Sequence, residues 1–244
     1  MIHKKLIIVA TYNERDNIVP LIDEILKNAQ DVDILVIDDN SPDETYLLVE
    51  ELAKMYNNIF LIKRKGKMGL GSAYVAGFYW ALDRGYDYIM HMDADFSHNP
   101  KYINTMFASM EHYDLVLGSR YIKGGSVVNW SFNRKVISRG GNIYAQIMLS
   151  MPFHDLTGGF KCFRAEVLRN IGIDTLMAKG YGFQIETTFR AYLSGFRILE
   201  IPISFEDRRV GKSKMSGNIF SEAMLMVLKL RLMKNHLIAK QKLK

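Results

Sequence analysis

Ile89-Met90-His91-Met92-Asp93-Ala94-Asp95-Phe96-Ser97-His98 joins an apolar run to two carboxylates. The run, beginning at Tyr88, predicts a buried strand, and the C-terminal end of such a strand is where an open α/β sheet places its ligand. If the strand continues through them, Asp93 and Asp95 point the same way, because side chains alternate with period two. Their mutual repulsion is relieved by a hard divalent cation with oxygen ligands, and Mg or Mn held this way keeps positions open for substrate phosphates. Asp-x-Asp alone suits a solvated acidic turn equally well, so the flanking chain carries the decision.

Outward from this stretch, strand and helix patterns alternate. Lys5 to Ala10, Val32 to Ile37, Asn58 to Lys63 and Asp114 to Gly118 predict strands. Between them, Asp16 to Ala29 carries Ile18, Leu21, Ile22, Ile25 and Leu26 at helical spacing. Ser41-Pro42-Asp43-Glu44 predicts a capping box opening a helix to about Tyr56. A basic glycine-rich loop, Arg64 to Gly71, opens a helix ending near Gly85, and Lys101 to Met110 follows Pro100 as another. This alternation predicts an α/β fold with a mostly parallel, doubly wound sheet. After Tyr121 the pattern loosens: Gly124-Gly125 marks a mobile loop, then come a helix over Asn133 to Ser150, a short strand over Thr157 to Phe163, a helix over Phe183 to Leu193 and a strand over Arg197 to Ile203. The chain divides into a body, 1–217, and a C-terminal amphipathic helix, 218–244.

The 244 residues are 48% hydrophobic and 24% charged, the composition of an ordinary globular protein. Its single cysteine, Cys162, excludes an internal disulfide framework and reads as a small buried hydrophobe. The start of the chain is too short in apolar residues for a secretory signal, and no window is apolar enough for a membrane span. The expectation is a cytoplasmic protein, peripheral on the cytosolic face of a membrane. Of the net charge of +6, the segment from Arg208 to Lys244 supplies more than the whole, with ten Lys or Arg against Glu222 alone. The remainder is net acidic, which argues against a nucleic-acid partner. The basic tail instead suits a membrane surface.

Several smaller clusters each allow two readings. Asp38-Asp39 can accept hydrogen bonds from a ribose or base, or favour the dipole of the next helix. Arg64, Lys67, Gly69 and Gly71 suit a phosphate cradle or a plain helix start, and match neither the P-loop nor the dinucleotide fingerprint. Arg120, and Arg134 with Ser138 one turn on, suit a phosphate monoester or a solvated basic face.

Taken in order, these pieces resemble the inverting glycosyltransferases of family 2, which have the GT-A (Rossmann-like) fold. The matching pieces are Thr11-Tyr12-Asn13-Glu14, Ile37 to Asp43, Gly69-Leu70-Gly71-Ser72-Ala73, Met92 to His98, Gly118-Ser119-Arg120-Tyr121, Asp155 to Phe160, Gly182-Phe183-Gln184 and Phe205 to Met215. The resemblance implies transfer of one mannose from GDP-mannose to a polyprenyl (dolichyl) phosphate. Glucose as the sugar, a soluble acceptor, or a non-catalytic nucleotide-sugar binder stay open at this point. It further implies that Ala10, Thr11, Tyr12, Asn13, Glu14, Asp39, Lys67 and Asp93 bind the nucleotide sugar, with Arg208 and Lys214 on its diphosphate. Asp93, Asp95 and Ser97 are the implied ligands of Mg or Mn. Arg120, Arg134 and Ser138 are implied to hold the acceptor phosphate, and Asp95, Arg208 and Arg120 to carry the catalysis. Ala10 and Ser97 stand where members often have proline and glutamine. The Gln-x-x-Arg-Trp motif of processive members is missing, which implies a single transfer. Whether a partner subunit anchors the chain at a membrane is left open.

Overall fold

A computed structural model describes residues 3–178, 180, 182–207 and 217–242. In β1 (Lys5–Thr11) successive side chains go to opposite faces: Ile7 and Val9 join one core, Leu6 and Ile8 the other. All four are fully buried, so both faces of the strand need cover, the condition under which parallel sheets occur. Cover comes from α1 (Arg15–Asn28), α2 (Thr45–Met55) and α4 (Ile103–Ser109) on the Ile7 face. On the Leu6 face it comes from α3 (Leu70–Asp83), α6 (Ala165–Asn170) and α7 (Gly182–Leu193). The stripe predicted from spacing, Ile18, Leu21, Ile22 and Ile25, is the buried face of α1, each side chain contributing about 1.5–3 kcal/mol. Mid-helix Gly77 lets α3 approach closely: an added Cβ would lie 2.8 Å from Ile37 Cδ1 and 2.9 Å from Ile8 Cδ1.

The remaining strands are β2 (Asp33–Asp38), β3 (Ile59–Lys63), β4 (Tyr88–Asp93), β5 (Leu115–Ser119), β6 (Ser126–Val128), β7 (Lys161–Arg164), β8 (Ile198–Pro202) and β9 (Ser204–Glu206). Seven of them form one sheet in the order β3-β2-β1-β4-β7-β5-β8. The chain steps from β1 outward to β2 and β3, then crosses back to place β4 on the other side of β1, so the order reverses there. In an open α/β sheet that switch point, at the carboxyl ends of the strands, is the binding crevice. Register puts Ala10 beside Asp93 and Thr11 beside Asp38 along its rim.

Three expectations are corrected. The strand over Thr157 to Phe163 begins only at Lys161 and runs antiparallel between β4 and β5, with Cys162 paired to both Met90 and Val116. Ser41 is not the helix cap: its hydroxyl donates to Asp38 Oδ2 at 2.6 Å, and α2 starts at Thr45, whose N–H is taken by Asp43 Oδ1 at 3.0 Å. The loop expected at Gly124-Gly125 is there, but the loosened pattern after it hides a strand: the loop leads directly into β6, which pairs with β9, and a Cβ on Gly125 would sit 2.6 Å from the Ser119 carbonyl oxygen. A third apolar cluster joins α5 (Phe132–Leu149), α7 and α8 (Gly217–Lys242) through Leu149, Phe189, Val227, Leu230 and Leu237. Leu225, Leu228 and Leu232 lie exposed on α8, so apolar residues occupy two of its sides.

Candidate active site

The acidic turn begins where β4 stops pairing. At Asp93 the backbone N–H donates to His98 Nδ1 at 3.0 Å. His98 is therefore an acceptor at Nδ1, and burial lowers its pKa despite the opposing pull of Asp93 and Asp95. Phe160 stacks on its ring at 5.1 Å and Phe205 meets it edge-on. Asp95 is not on the strand, as period-two alternation would have it. It sits in the following bend, where its Oδ1 accepts from Ser97 N at 3.1 Å and Phe96 adopts φ +64°. A left-handed phenylalanine costs energy, and here it turns the chain so that Asp95 and Ser97 are buried beside the strand end. The donor set, two carboxylates and a hydroxyl, is all oxygen and fits a hard cation that takes its other ligands from substrate phosphate. Among the described residues no group of three or more His, Cys, Asp or Glu side chains forms a complete metal cage.

On the β2 side of the crevice, the turn after β1 is laced to the loop after β2. Thr11 Oγ1 donates to Asp38 Oδ2 at 2.8 Å, Asn13 N to Ser41 Oγ at 3.0 Å and Glu14 N to Thr45 Oγ1 at 3.1 Å. Asn13 adopts φ +55°. Asp39 receives the Arg64 guanidinium and, at 3.0 Å, the Met68 N–H. Arg64 also donates to Ser72 Oγ at 2.7 Å and to the Gly69 carbonyl, so it ties the glycine loop to Asp39 and is not presented to a phosphate. Lys67 lies 4.6 Å above the Tyr12 ring, which brings Tyr12, Asp39 and Lys67 onto one rim.

Across the turn stands Arg120, just past β5. Its Nε and Nη2 bind Asp155 at 2.7 Å each, its backbone N–H adds a third bond at 2.9 Å, and Nη2 reaches Thr157 Oγ1 at 2.8 Å. Both members of this pair are buried. Burial alone would lower the arginine pKa and raise that of the carboxylic acid, but the contact outweighs it, so Arg120 is raised and Asp155 lowered. The side-chain hydrogen bonds of Arg120 among the described residues use Nε and Nη2 and none uses Nη1. The Arg120 and Arg134 guanidiniums lie 5.6 and 4.0 Å from the Trp130 ring. Both Nη1 bonds of Arg134 go to Asp207, each at 2.9 Å, so a carboxylate already occupies the place expected for a phosphate. Ser138 Oγ accepts from Tyr121 OH at 2.7 Å. Sequence reasoning passed over Trp130 and gave Asp207 no role of its own within the piece Phe205 to Met215; the Trp130–Arg134 spacing of four residues was the available signal. Arg208 and Lys214 lie outside the described residues, as do Lys212 and Ser213.

Two buried acids, Glu186 and Asp155, are held in place by structure. Glu186 accepts from Met177 N at 2.9 Å, Ala178 N at 3.0 Å and Arg190 Nη2 at 2.6 Å. Asp155 is held by Arg120 as described. Below them, Lys161 is fully buried, donates to the Gln184 carbonyl and to Thr188 Oγ1 at 2.9 Å, and is lowered by burial to about 7, with Asp155 opposing. His91 packs among Tyr74, Phe78, Phe163 and Phe183.

A family model, "Glycosyl transferase family 2", matches residues 6–172, most of the sheet and the acidic turn with it, and the chain belongs to that family. It is a glycosyltransferase with a GT-A-like fold. It is similar to the undecaprenyl-phosphate mannosyltransferase of Micrococcus luteus, 43% identical over 91% of this chain and 91% of the relative. The polyprenol monophosphomannose synthase of Mycolicibacterium smegmatis is 42% identical, over 92% of this chain and 85% of its own. Among solved structures, glucosyl-3-phosphoglycerate synthase from Mycobacterium tuberculosis in complex with Mn2+, UDP and glucosyl-3-phosphoglycerate has the same fold at 17% identity. The TM-score is 0.69, over 93% of this chain and 79% of that one. A mannosyltransferase from Pyrobaculum calidifontis in complex with GDP-Man and Mn2+ shares the fold at 15% identity and a TM-score of 0.56, over 98% of this chain and 73% of that one.

Proposed function

We propose that the enzyme transfers a single mannose from GDP-mannose to a polyprenyl phosphate, with inversion at the anomeric carbon, as a dolichyl-phosphate mannosyltransferase does. The observation that carries this reading is the arginine pair, Arg120 and Arg134, brought together on the Trp130 ring, with the Asp207 carboxylate held on Arg134 where an incoming phosphate would replace it. Such a pair suits a phosphate monoester, which takes several charge-assisted hydrogen bonds. A phosphate monoester, with a second pKa near ~6, arrives largely ionised and needs no strong general base. The locking of Asp155 and Glu186 fits that requirement. Tyr12, Asp39 and Lys67 border the nucleotide side, and Arg208 and Lys214 complete the grip on the diphosphate. When bound at Asp93, Asp95 and Ser97, a divalent cation (Mg or Mn) supplies charge stabilisation for the departing diphosphate. The names of the two relatives support both the mannose and the lipid phosphate.

The test is incubation of the purified chain with labelled nucleotide sugars and a polyprenyl phosphate. Labelled polyprenyl-phosphate mannose should form from GDP-mannose, and product from another sugar alone would replace mannose in the reading. Arg134→Ala is expected to raise KM for the lipid phosphate about tenfold or more while GDP affinity, read by calorimetry, stays within about twofold. An equal loss of GDP binding would move Arg134 to the donor site.

A lipid acceptor also requires a membrane surface. No helix among the described residues is long and apolar enough to cross one. The packed helices α5 and α8 expose Phe132, Val136, Ile147, Leu225, Leu228 and Leu232, interspersed with exposed Lys135, Arg139, Lys229 and Arg231. Apolar side chains among cations suit an anionic lipid surface, each cation adding about 1 kcal/mol. Replacing Leu225, Leu228 and Leu232 together by Gln should reduce sedimentation with anionic liposomes while sparing turnover of a short, water-soluble acceptor. Undiminished liposome binding would remove α8 from the membrane face.

A further inference from the structure

Gln184, in the first turn of α7, is 1% exposed, and neither Oε1 nor Nε2 of its amide has a hydrogen-bond partner among the described residues. Burying such a group unpaired costs its full desolvation penalty, so a buried amide left open in this way asks for a ligand. Its surroundings give the direction. A Cβ added to Gly159 would stand 3.4 Å from Asp93 Oδ1, 3.4 Å from His98 Cε1 and 3.6 Å from Gln184 Nε2. The amide therefore lies close to the first carboxylate of the acidic turn, with only the side-chain-free Gly159 between them. The main chain beneath is rigidly held: the Gln184 carbonyl accepts from Lys161 Nζ and from the hydroxyls of Thr187 and Thr188.

An unpaired carboxamide offers one donor group and one acceptor group side by side. A phosphate would satisfy only the donor, and a cation only the acceptor. A sugar hydroxyl pair satisfies both, since one hydroxyl accepts from Nε2 while the other donates to Oε1. We infer that Gln184 is a specificity-determining residue that reads hydroxyls of the hexose carried by the nucleotide donor, beside Asp93. The inference rests on the glycosyl-transfer reading above and adds to it which side chain selects the sugar.

Gln184→Leu keeps the approximate volume and removes both polar atoms; Gln184→Glu keeps the shape and the acceptor. Calorimetry with GDP and with GDP-mannose reads the sugar contact without turnover, so it stands even if the acceptor assignment fails. Gln184→Leu should leave GDP affinity within about twofold and weaken GDP-mannose about tenfold or more, with Gln184→Glu intermediate. In wild type, one of the deoxymannose nucleotides should bind about tenfold more weakly than GDP-mannose, and in Gln184→Leu that difference should vanish. The inference is overturned if Gln184→Leu binds GDP-mannose as wild type does. It is equally overturned if every deoxy analogue keeps its wild-type penalty in the variant, or if GDP and GDP-mannose weaken together, which is the mark of a purely structural role. Absence of lipid product from the wild-type protein, with these binding differences intact, would count against the acceptor alone.

Discussion

Asp95→Asn is expected to lower turnover by at least about 100-fold while leaving the fold intact. Asp95 is buried in the bend after β4 and its Oδ1 holds the Ser97 N–H, a bond that asparagine can still accept. What the substitution removes is a full negative charge next to Asp93, and with it the attraction for a divalent cation that offsets charge on the leaving diphosphate. Losses of about 100- to 1,000-fold follow removal of a single preorganised electrostatic group at a reacting centre. Steady-state kinetics with and without added Mg or Mn provide the check. Near-wild-type turnover in Asp95→Asn, or full wild-type turnover in excess EDTA, would remove the metal role from this turn.

The second large effect is structural in origin. Asp155→Asn strips the carboxylate from a guanidinium that is itself buried, leaving Arg120 charged and only partly paired by Thr157. Breaking a buried pair on one side costs about 3–5 kcal/mol, because the remaining charge has lost its compensation. At roughly 2–4 °C per kcal/mol for a chain of this size, the melting temperature should fall by about 10 °C. Adding Arg120→Met to Asp155→Asn removes the orphaned charge and should recover much of that loss, yet the double variant should remain inactive with a phosphate acceptor. Circular dichroism melting alongside the transfer assay separates the two consequences. A single variant that melts with wild type, or a double variant that regains transfer, would show that Arg120 is not held in place for the acceptor.

Much of this was legible in the residues before any fold was known. The stripe of α1, the strand ending at Asp93 and the helix after the glycine loop follow from spacings of 3.6 and 2, and each is found within a few residues of its expected ends. Those signals are local, since each depends on which face of one element meets a core. The errors fell where a local rule was outbid. Ser41, in the spacing of a cap, is taken by Asp38 from the end of β2, and Asp95, in the spacing of a strand, lies in a bend because His98 takes the Asp93 N–H.

The sequence by itself determined the alternation of strands and helices, the two-sided burial of the central strands and the position of the acidic turn at a strand end. Hydrophobic periodicity and turn chemistry are written residue by residue. Only the tertiary structure decided the rest: that β7 runs antiparallel through the middle of the sheet, and that Arg120 meets Asp155 from 35 residues away and Arg134 meets Asp207 from 73. It also decided that the unpaired amide of Gln184 is buried near Asp93, beside Gly159. Pairings of that kind leave no periodic trace, because a buried charge or amide is satisfied by whichever distant group the whole packing brings within reach.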